Sequence, residues 1–136
     1  MRIVLDTNCL IRSIPANSPY YDVWEGILSG RHTLCVTNEI IEEYFEILNK
    51  LTNKRIAQIT IDTILESRFV QFINPTYRFN LITADPDDNK FVDCAICADA
   101  KYIVTNDHHY DILKSIPFPK VDIIALEEFV KLFHKS

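Results

Sequence analysis

Short, unbroken apolar runs alternate along this chain with stretches in which apolar residues recur every three or four positions. Ile3-Val4-Leu5 is continuous and bounded by Asp6-Thr7-Asn8, the pattern of a strand buried on both faces in a helix-covered parallel sheet, so residues 2–6 are predicted as the first strand. Ser18-Pro19 supplies an N-cap and a first-turn proline, Val23, Trp24, Ile27 and Leu28 follow at helical spacing, and Gly30 stands at the C-cap position, which predicts a helix over about 19–29. Thr33 to Thr37 is short, β-branched and apolar; Asn38 then caps a helix carrying Ile40, Ile41, Tyr44, Phe45, Ile47 and Leu48. Arg55 to Glu66 repeats the helical period, and Phe69 to Ile73 reads as the next strand. Beyond a polar loop the pattern predicts a helix from about Asp88 to Ala100, strands over Tyr102–Thr105 and Val121–Leu126, and a final helix over 127–135. Strands and helices taken by turns predict a mainly parallel sheet of about five strands with right-handed crossovers, an α/β fold built as a three-layer α/β/α sandwich.

At 136 residues and 48% hydrophobic content, the chain fits one domain over 1–136 with a proper core, and the composition argues against disorder. Two glycines and the absence of low-complexity sequence imply dense secondary structure. No apolar run approaches the roughly 18 to 20 residues of a membrane span, and the N-terminus enters a strand without a signal-peptide pattern, giving a cytoplasmic reading with no membrane partner. Cys9, Cys35, Cys94 and Cys97 fall within predicted elements and read as small buried hydrophobes without disulfides. Zinc at Cys94-x-x-Cys97 is disfavoured because both lie mid-helix rather than on a tight turn. A formal net charge of -5 argues against gripping nucleic acid through a broad basic surface, although a bound cation reverses the sign locally.

The acids change the picture most. Asp6 and Asp107 follow the last apolar residues of two predicted strands, and Asp85-Pro86-Asp87-Asp88 opens the helix between them. Ligand sites in open parallel sheets lie outside the carboxyl ends of the strands, and carboxylates gathered there repel one another unless a cation such as Mg²⁺ or Mn²⁺ neutralises them. Turn formation and helix capping are the competing roles for Asp6, Asp85, Asp87, Asp88 and Asp107. In the second predicted helix Glu43 is the acid nearest the apolar face, while Glu39, Glu42 and Glu46 are read as solvated. Asp88 projects to the buried side of its helix and Asp93 away from it. Thr7-Asn8 and Thr105-Asn106 flank the strand-end acids, where polar side chains orient ligands as well as forming turns.

Taken in order, Leu5-Asp6-Thr7-Asn8, the Glu43 helix, Asp85-Pro86-Asp87-Asp88-Asn89-Lys90-Phe91 and Ile103-Val104-Thr105-Asn106-Asp107 closely resemble the PIN-domain nucleases over nearly the whole chain. Within them the chain looks most like the VapC-like toxins of bacterial toxin-antitoxin systems. The resemblance implies an endoribonuclease dependent on Mg²⁺ or Mn²⁺, with Asp6, Glu43, Asp88 and Asp107 at the matching acidic positions, acting without a covalent enzyme intermediate. The alignment at Asp88 slips readily against Asp87 or Asn89. Asn8 would be an auxiliary polar residue with Thr105, and Asp111 an extra acid. It also implies an RNA substrate, a small antitoxin partner and a homodimer, with Tyr44, Phe45, Phe129, Leu132 and Phe133 as candidate interface residues against a default of core packing.

His108 and His109 are read as solvated residues of a polar loop and left outside the catalytic set. Arg12, Arg31 and Lys90 are candidate RNA contacts or ordinary surface charges, and Tyr20, Tyr21, Tyr77, Phe79 and Tyr110 are candidate stacking platforms or core. A phosphatase of the haloacid-dehalogenase type would need a second aspartate where Asn8 stands. The remaining alternative is a non-catalytic PIN-like module that binds RNA or protein.

Overall fold

A computed structural model describes residues 1–133. Five parallel strands form one sheet in the order β3-β2-β1-β4-β5: β1 Arg2–Leu5, β2 Thr33–Val36, β3 Gln71–Phe72, β4 Tyr102–Val104 and β5 Ile123–Ile124. The helices are α1 Thr7–Ser13, α2 Tyr21–Ser29, α3 Asn38–Leu51, α4 Lys54–Glu66, α5 Asn89–Ala98 and α6 Leu126–Phe133, with 3-10 segments over Pro86–Asp88 and His108–Ser115. Register is fixed by Ile3 opposite Leu34, Val4 opposite Ile103, Cys35 opposite Gln71 and Val104 opposite Ile124.

The three central strands carry the continuous apolar runs because both their faces are covered: Ile3, Val4, Leu5, Leu34, Cys35, Val36, Ile103 and Val104 are completely buried. The outer strands shrink to two residues each, Gln71 and Phe72 exposed and Ile123 and Ile124 half-buried, which limits the unpaired edge offered to other chains. The expected α/β sandwich is therefore observed, with shorter edge strands than predicted. Among the described residues no helix is long and apolar enough to cross a membrane.

Several local expectations are corrected. Thr7-Asn8 does not form a turn. α1 starts at Thr7, capped by Asp6, and with only Cys9 and Leu10 as its buried apolar residues it is too short to display a helical period. Thr37, not Asn38, caps α3, accepting the Ile40 N–H at 3.2 Å. The predicted polar loop after β4 is a 3-10 segment whose Tyr110 and Leu113 enter the core. Asp93 does not project into solvent but is buried, accepting the Phe79 N–H at 3.1 Å, because the segment before α5 folds over it. Cys9, Cys35 and Cys94 are buried as expected, whereas Cys97 is exposed. Tyr44 and Phe129 are core residues, Phe45 is half-buried and Leu132 exposed; the Phe133 side chain and positions 134 and 135 of the predicted last helix lie outside the described residues.

Candidate metal centre

At the carboxyl end of β1 the chain turns directly into α1, and this junction holds Asp6 almost completely buried. Its Oδ1 accepts the Thr7 N–H and its Oδ2 accepts the Thr105 hydroxyl, both at 2.8 Å. Burial pushes the Asp6 pKa up, the Thr105 and Thr7 hydrogen bonds oppose that, and the charges of Asp107 and Glu43 add to the rise. Asp6 and Thr105 end neighbouring strands, so the pairing of β1 with β4 sets this contact.

Thr105 also accepts the Asp107 N–H at 3.1 Å. Asp107 in turn caps the 3-10 segment over His108–Ser115, accepting the His109 N–H at 2.8 Å. Glu43 reaches the same rim from α3: its Oε2 accepts the Thr7 hydroxyl and its Oε1 pairs with Lys90 Nζ at 2.8 Å. Directly after Glu43, Tyr44 donates its hydroxyl to the Leu5 carbonyl at 2.6 Å and so ties α3 to the end of β1.

Asp88 closes the group from the 3-10 turn before α5. Its residue is 8% exposed, and its Oδ2 is buried without a hydrogen-bond partner. Burial first, then the charges of Asp85, Asp107 and Asp6, push its pKa up to about 6, against a smaller lowering by His109. A buried carboxylate oxygen lacking a donor is costly in a protein interior. Tyr110, fully buried, presents an unpartnered hydroxyl within electrostatic reach of Asp6, Asp88, Asp107 and Glu43, its pKa raised by burial above all.

The structure thus brings Asp6, Glu43, Asp88 and Asp107 to one rim of the sheet. Of the two adjacent acids between which the alignment slips, Asp88 faces the group, while Asp87 is exposed. Thr105 is an integral hydrogen-bonding partner. Asn8 lies on the exposed side of α1 in a shallow groove with Asp6 and Asp107. Asp111 turns to His108 and Lys114, at 3.3 and 3.7 Å, rather than to the other acids. Lys90 is not a free surface charge, since it pairs with Glu43 and donates to the Asp87 carbonyl at 2.8 Å. Glu39, Glu42 and Glu46 are exposed as expected. Arg12 rests against the Tyr20 ring, and Arg31 donates to the Asp22 carbonyl.

Two further side chains, outside the set that the sequence predicts, adjoin these acids. Asp85 does cap the 3-10 turn, accepting the Asp87 N–H at 3.2 Å, yet it also stands with Asp88 and His109, their ligand atoms all within 4.8 Å of one another. His109 is exposed, as expected, but its Nδ1 faces Asp107, Asp88 and Asp85 at 3.4, 3.6 and 3.9 Å. His108 turns to Asp111 and His109 to the acids of the rim, a difference that no apolar period in the sequence announces.

The family model of the PIN domain matches residues 2–109. No curated protein matches the sequence. Among solved structures, VapBC2 from Rickettsia felis, bound to a DNA fragment from its promoter, superposes with a TM-score of 0.64 at 19% identity, over 92% of this chain and 98% of that one. VapBC-1 from nontypeable Haemophilus influenzae gives 0.64 at 13% identity, over 93% and 99% of the two chains. Mycobacterium tuberculosis VapC20, a toxin that cleaves the sarcin-ricin loop, gives 0.58 at 14% identity, over 83% and 94%. These likenesses concern the fold, and together with a family match that spans the sheet rim and its acids they show that the chain belongs to the PIN domain family.

Proposed function

We propose that this PIN domain is a metal-dependent endoribonuclease, the toxin of a toxin-antitoxin pair, with Asp6, Glu43, Asp88 and Asp107 as its acidic centre. The observation that carries the reading is the buried, partnerless Asp88 Oδ2 set among other carboxylates. That arrangement costs stability in the protein alone and is explained by a cation that binds there. The donors are carboxylate oxygens, the set that Mg²⁺ or Mn²⁺ takes. When bound, such an ion supplies Lewis-acid stabilisation of charge at a phosphodiester and lowers the pKa of water.

The chain's own residues provide the positioning. Thr7 and Thr105 hold the two Asp6 oxygens, Lys90 and Thr7 hold Glu43 from opposite sides, and the His109 N–H fixes Asp107. An ionised carboxyl has about four lone-pair sites, so each of these acids keeps acceptor capacity toward a cation. A concavity of about 400 Å³ lined by Thr37, Asn38, Phe72, Asn74, Arg78 and Lys90 adjoins the Glu43 side of the rim. Glu39 and Asp93 line it as well, and its two cations are paired, Arg78 with Glu39 and Lys90 with Glu43, so its amides and exposed aromatic ring are what suit an unstacked nucleotide of single-stranded RNA.

The likeness to the VapBC and VapC structures supports the toxin role and, with it, a small antitoxin partner. Leu51, Ile56 and Ile59 are 64%, 43% and 55% exposed around the α3–α4 hairpin, an apolar surface that such a partner or a second copy in a homodimer would cover. A cytoplasmic location is consistent with that role.

The test is cleavage of a mixed structured and single-stranded RNA pool with Mg²⁺ or Mn²⁺, with EDTA controls and the Asp6→Asn and Asp107→Asn variants, followed by mapping of the cut ends. Metal-dependent cutting that both substitutions abolish supports the nuclease. Cutting indifferent to them would assign the activity elsewhere, and RNA binding without cutting under either metal would favour the non-catalytic module.

A further inference from the structure

We propose that His109 Nδ1 is a direct ligand of this centre, and that the mixed nitrogen and oxygen set it forms with Asp85 and Asp88 selects Mn²⁺ over Mg²⁺. The proposal rests on the reading of the acids as a divalent-cation site and adds a ligand and a metal preference to it.

Three carboxylate oxygens surround Nδ1: Asp107 Oδ1 at 3.4 Å, Asp88 Oδ2 at 3.6 Å and Asp85 Oδ2 at 3.9 Å. A direct hydrogen bond from a ring nitrogen needs about 2.7 to 3.2 Å and a donor aimed at one acceptor. Nδ1 is aimed between three acceptors and is hydrogen-bonded to none of them. Ligand atoms sharing one ion at about 2.1 Å stand roughly 3.0 to 3.4 Å apart, from octahedral to tetrahedral geometry. The three distances from Nδ1 lie at and just beyond that range, so a contraction of about half an ångström would bring Nδ1 and each of these oxygens to the spacing of atoms that share an ion.

The adjacent His108 shows what an ordinary surface histidine does here: its side chain is 95% exposed and its Nδ1 lies 3.3 Å from a single carboxylate, Asp111. His109 differs on every count. Its backbone N–H is fixed on Asp107, the following Tyr110 is locked in the core, and its side chain is 46% exposed, leaving a path for an ion. One of the three oxygens, Asp88 Oδ2, is moreover buried with no hydrogen-bond donor, a need that an ion held by Nδ1 would meet.

The donor chemistry then sets the preference. Mg²⁺ demands oxygen ligands and holds its waters tightly, whereas Mn²⁺, although it too takes carboxylate oxygen and water and is the weakest binder of the first-row series, accepts an imidazole nitrogen more readily than Mg²⁺ does. An imidazole in the set therefore adds affinity for Mn²⁺ that Mg²⁺ does not share.

The experiment is titration of Mn²⁺ and of Mg²⁺ into the wild type, His109→Ala and Asp88→Asn, with pulsed EPR of the bound Mn²⁺ to detect coupling to ¹⁴N. The expected result is nitrogen coupling in the wild type, lost in His109→Ala together with at least about tenfold of Mn²⁺ affinity, while Mg²⁺ affinity stays within about twofold. Mn²⁺ bound by the wild type without nitrogen coupling, and equally well by His109→Ala, would overturn the histidine ligand and leave the carboxylate centre standing. Failure of the wild type to bind Mn²⁺, or binding undiminished in Asp88→Asn, would overturn the metal centre itself. The nitrogen coupling is read on the wild type, so the first conclusion does not depend on how a variant folds.

Discussion

Replacing Asp88 by asparagine should stabilise the metal-free protein. The pKa of the Asp88 carboxyl rises from 3.8 to about 6 on folding, chiefly through burial and then through Asp85, Asp107 and Asp6. A tenfold change in proton affinity is worth about 1.4 kcal/mol, so the ionised side chain opposes folding by roughly 3 kcal/mol at most. The folded state holds its proton to higher pH than the unfolded state does. The penalty is therefore absent below pH 3.8, grows as pH rises through about 6, and is fully present at pH 7. Asparagine removes the charge and supplies an N–H₂ donor toward the surrounding carboxylates. A gain of about 2 to 3 kcal/mol at pH 7 corresponds to a Tm higher by roughly 6 to 10 °C for a domain of this size. Thermal unfolding in EDTA at pH 7 and at pH 4.5 reads it, with a clear gap at the higher pH that narrows at the lower. Addition of Mn²⁺ should raise the wild-type Tm and leave that of the variant nearly unchanged, since an ion stabilises only the protein that binds it. An Asp88→Asn protein no more stable than wild type at pH 7, or a gap that persists undiminished at pH 4.5, would refute the electrostatic account of the site.

Three further outcomes follow from neighbouring contacts. His32 is buried against Gly26 and Phe129, and its pKa is pushed down to about 4 by burial, by the N-terminal ammonium and by Arg31; its stabilising effect is complete above pH 6.5 and lost as pH falls toward 4, opposite in sign to Asp88, so Asp88→Asn should lose more stability than wild type between pH 7 and pH 5 in denaturant titrations. Lys90→Met keeps the hydrocarbon stem but removes the bonds to Glu43 and the Asp87 carbonyl; stability should fall by about 1 to 3 kcal/mol while Mn²⁺ affinity, measured by calorimetry, holds or rises because a competing cation is gone. Tyr44→Phe deletes the 2.6 Å bond to the Leu5 carbonyl in a fully buried setting and should cost about 1 to 2 kcal/mol by urea unfolding, with metal binding retained.

The sheet is legible in the sequence because its central strands are buried on both faces, which forces the unbroken runs Ile3-Val4-Leu5, Leu34-Cys35-Val36 and Ile103-Val104. What escapes is structure without a hydrophobic period. α1 and the segment over His108–Ser115 are each set by a capping aspartate, Asp6 or Asp107, and anchored by two buried apolar residues, too few to stand out from a loop. The inward turn of His109 and the burial of Asp93 depend on how those segments wind and on what folds over α5. Lys90 resembles a surface charge in the sequence because its partner, Glu43, is 47 positions away on another helix. Local pattern holds no record of such a pairing.

The same residues explain how capping and ligation, competing roles for each acid in the sequence, are compatible. Asp6, Asp85 and Asp107 each accept a backbone N–H at the start of a helical segment, from Thr7, Asp87 and His109. Those donors lower the energy of the ionised carboxyls and fix their orientation before any cation arrives. Capping thus makes a cluster of like charges tolerable in the folded protein, and it leaves acceptor capacity on every carboxyl because one N–H occupies one of about four lone-pair sites. Glu43 is relieved by side chains, Thr7 and Lys90, whereas Asp88 has a buried oxygen with no donor of either kind, so the unrelieved cost of the cluster falls most heavily there. That is where binding a cation releases the most free energy, and where substitution should most sharply separate stability from metal affinity.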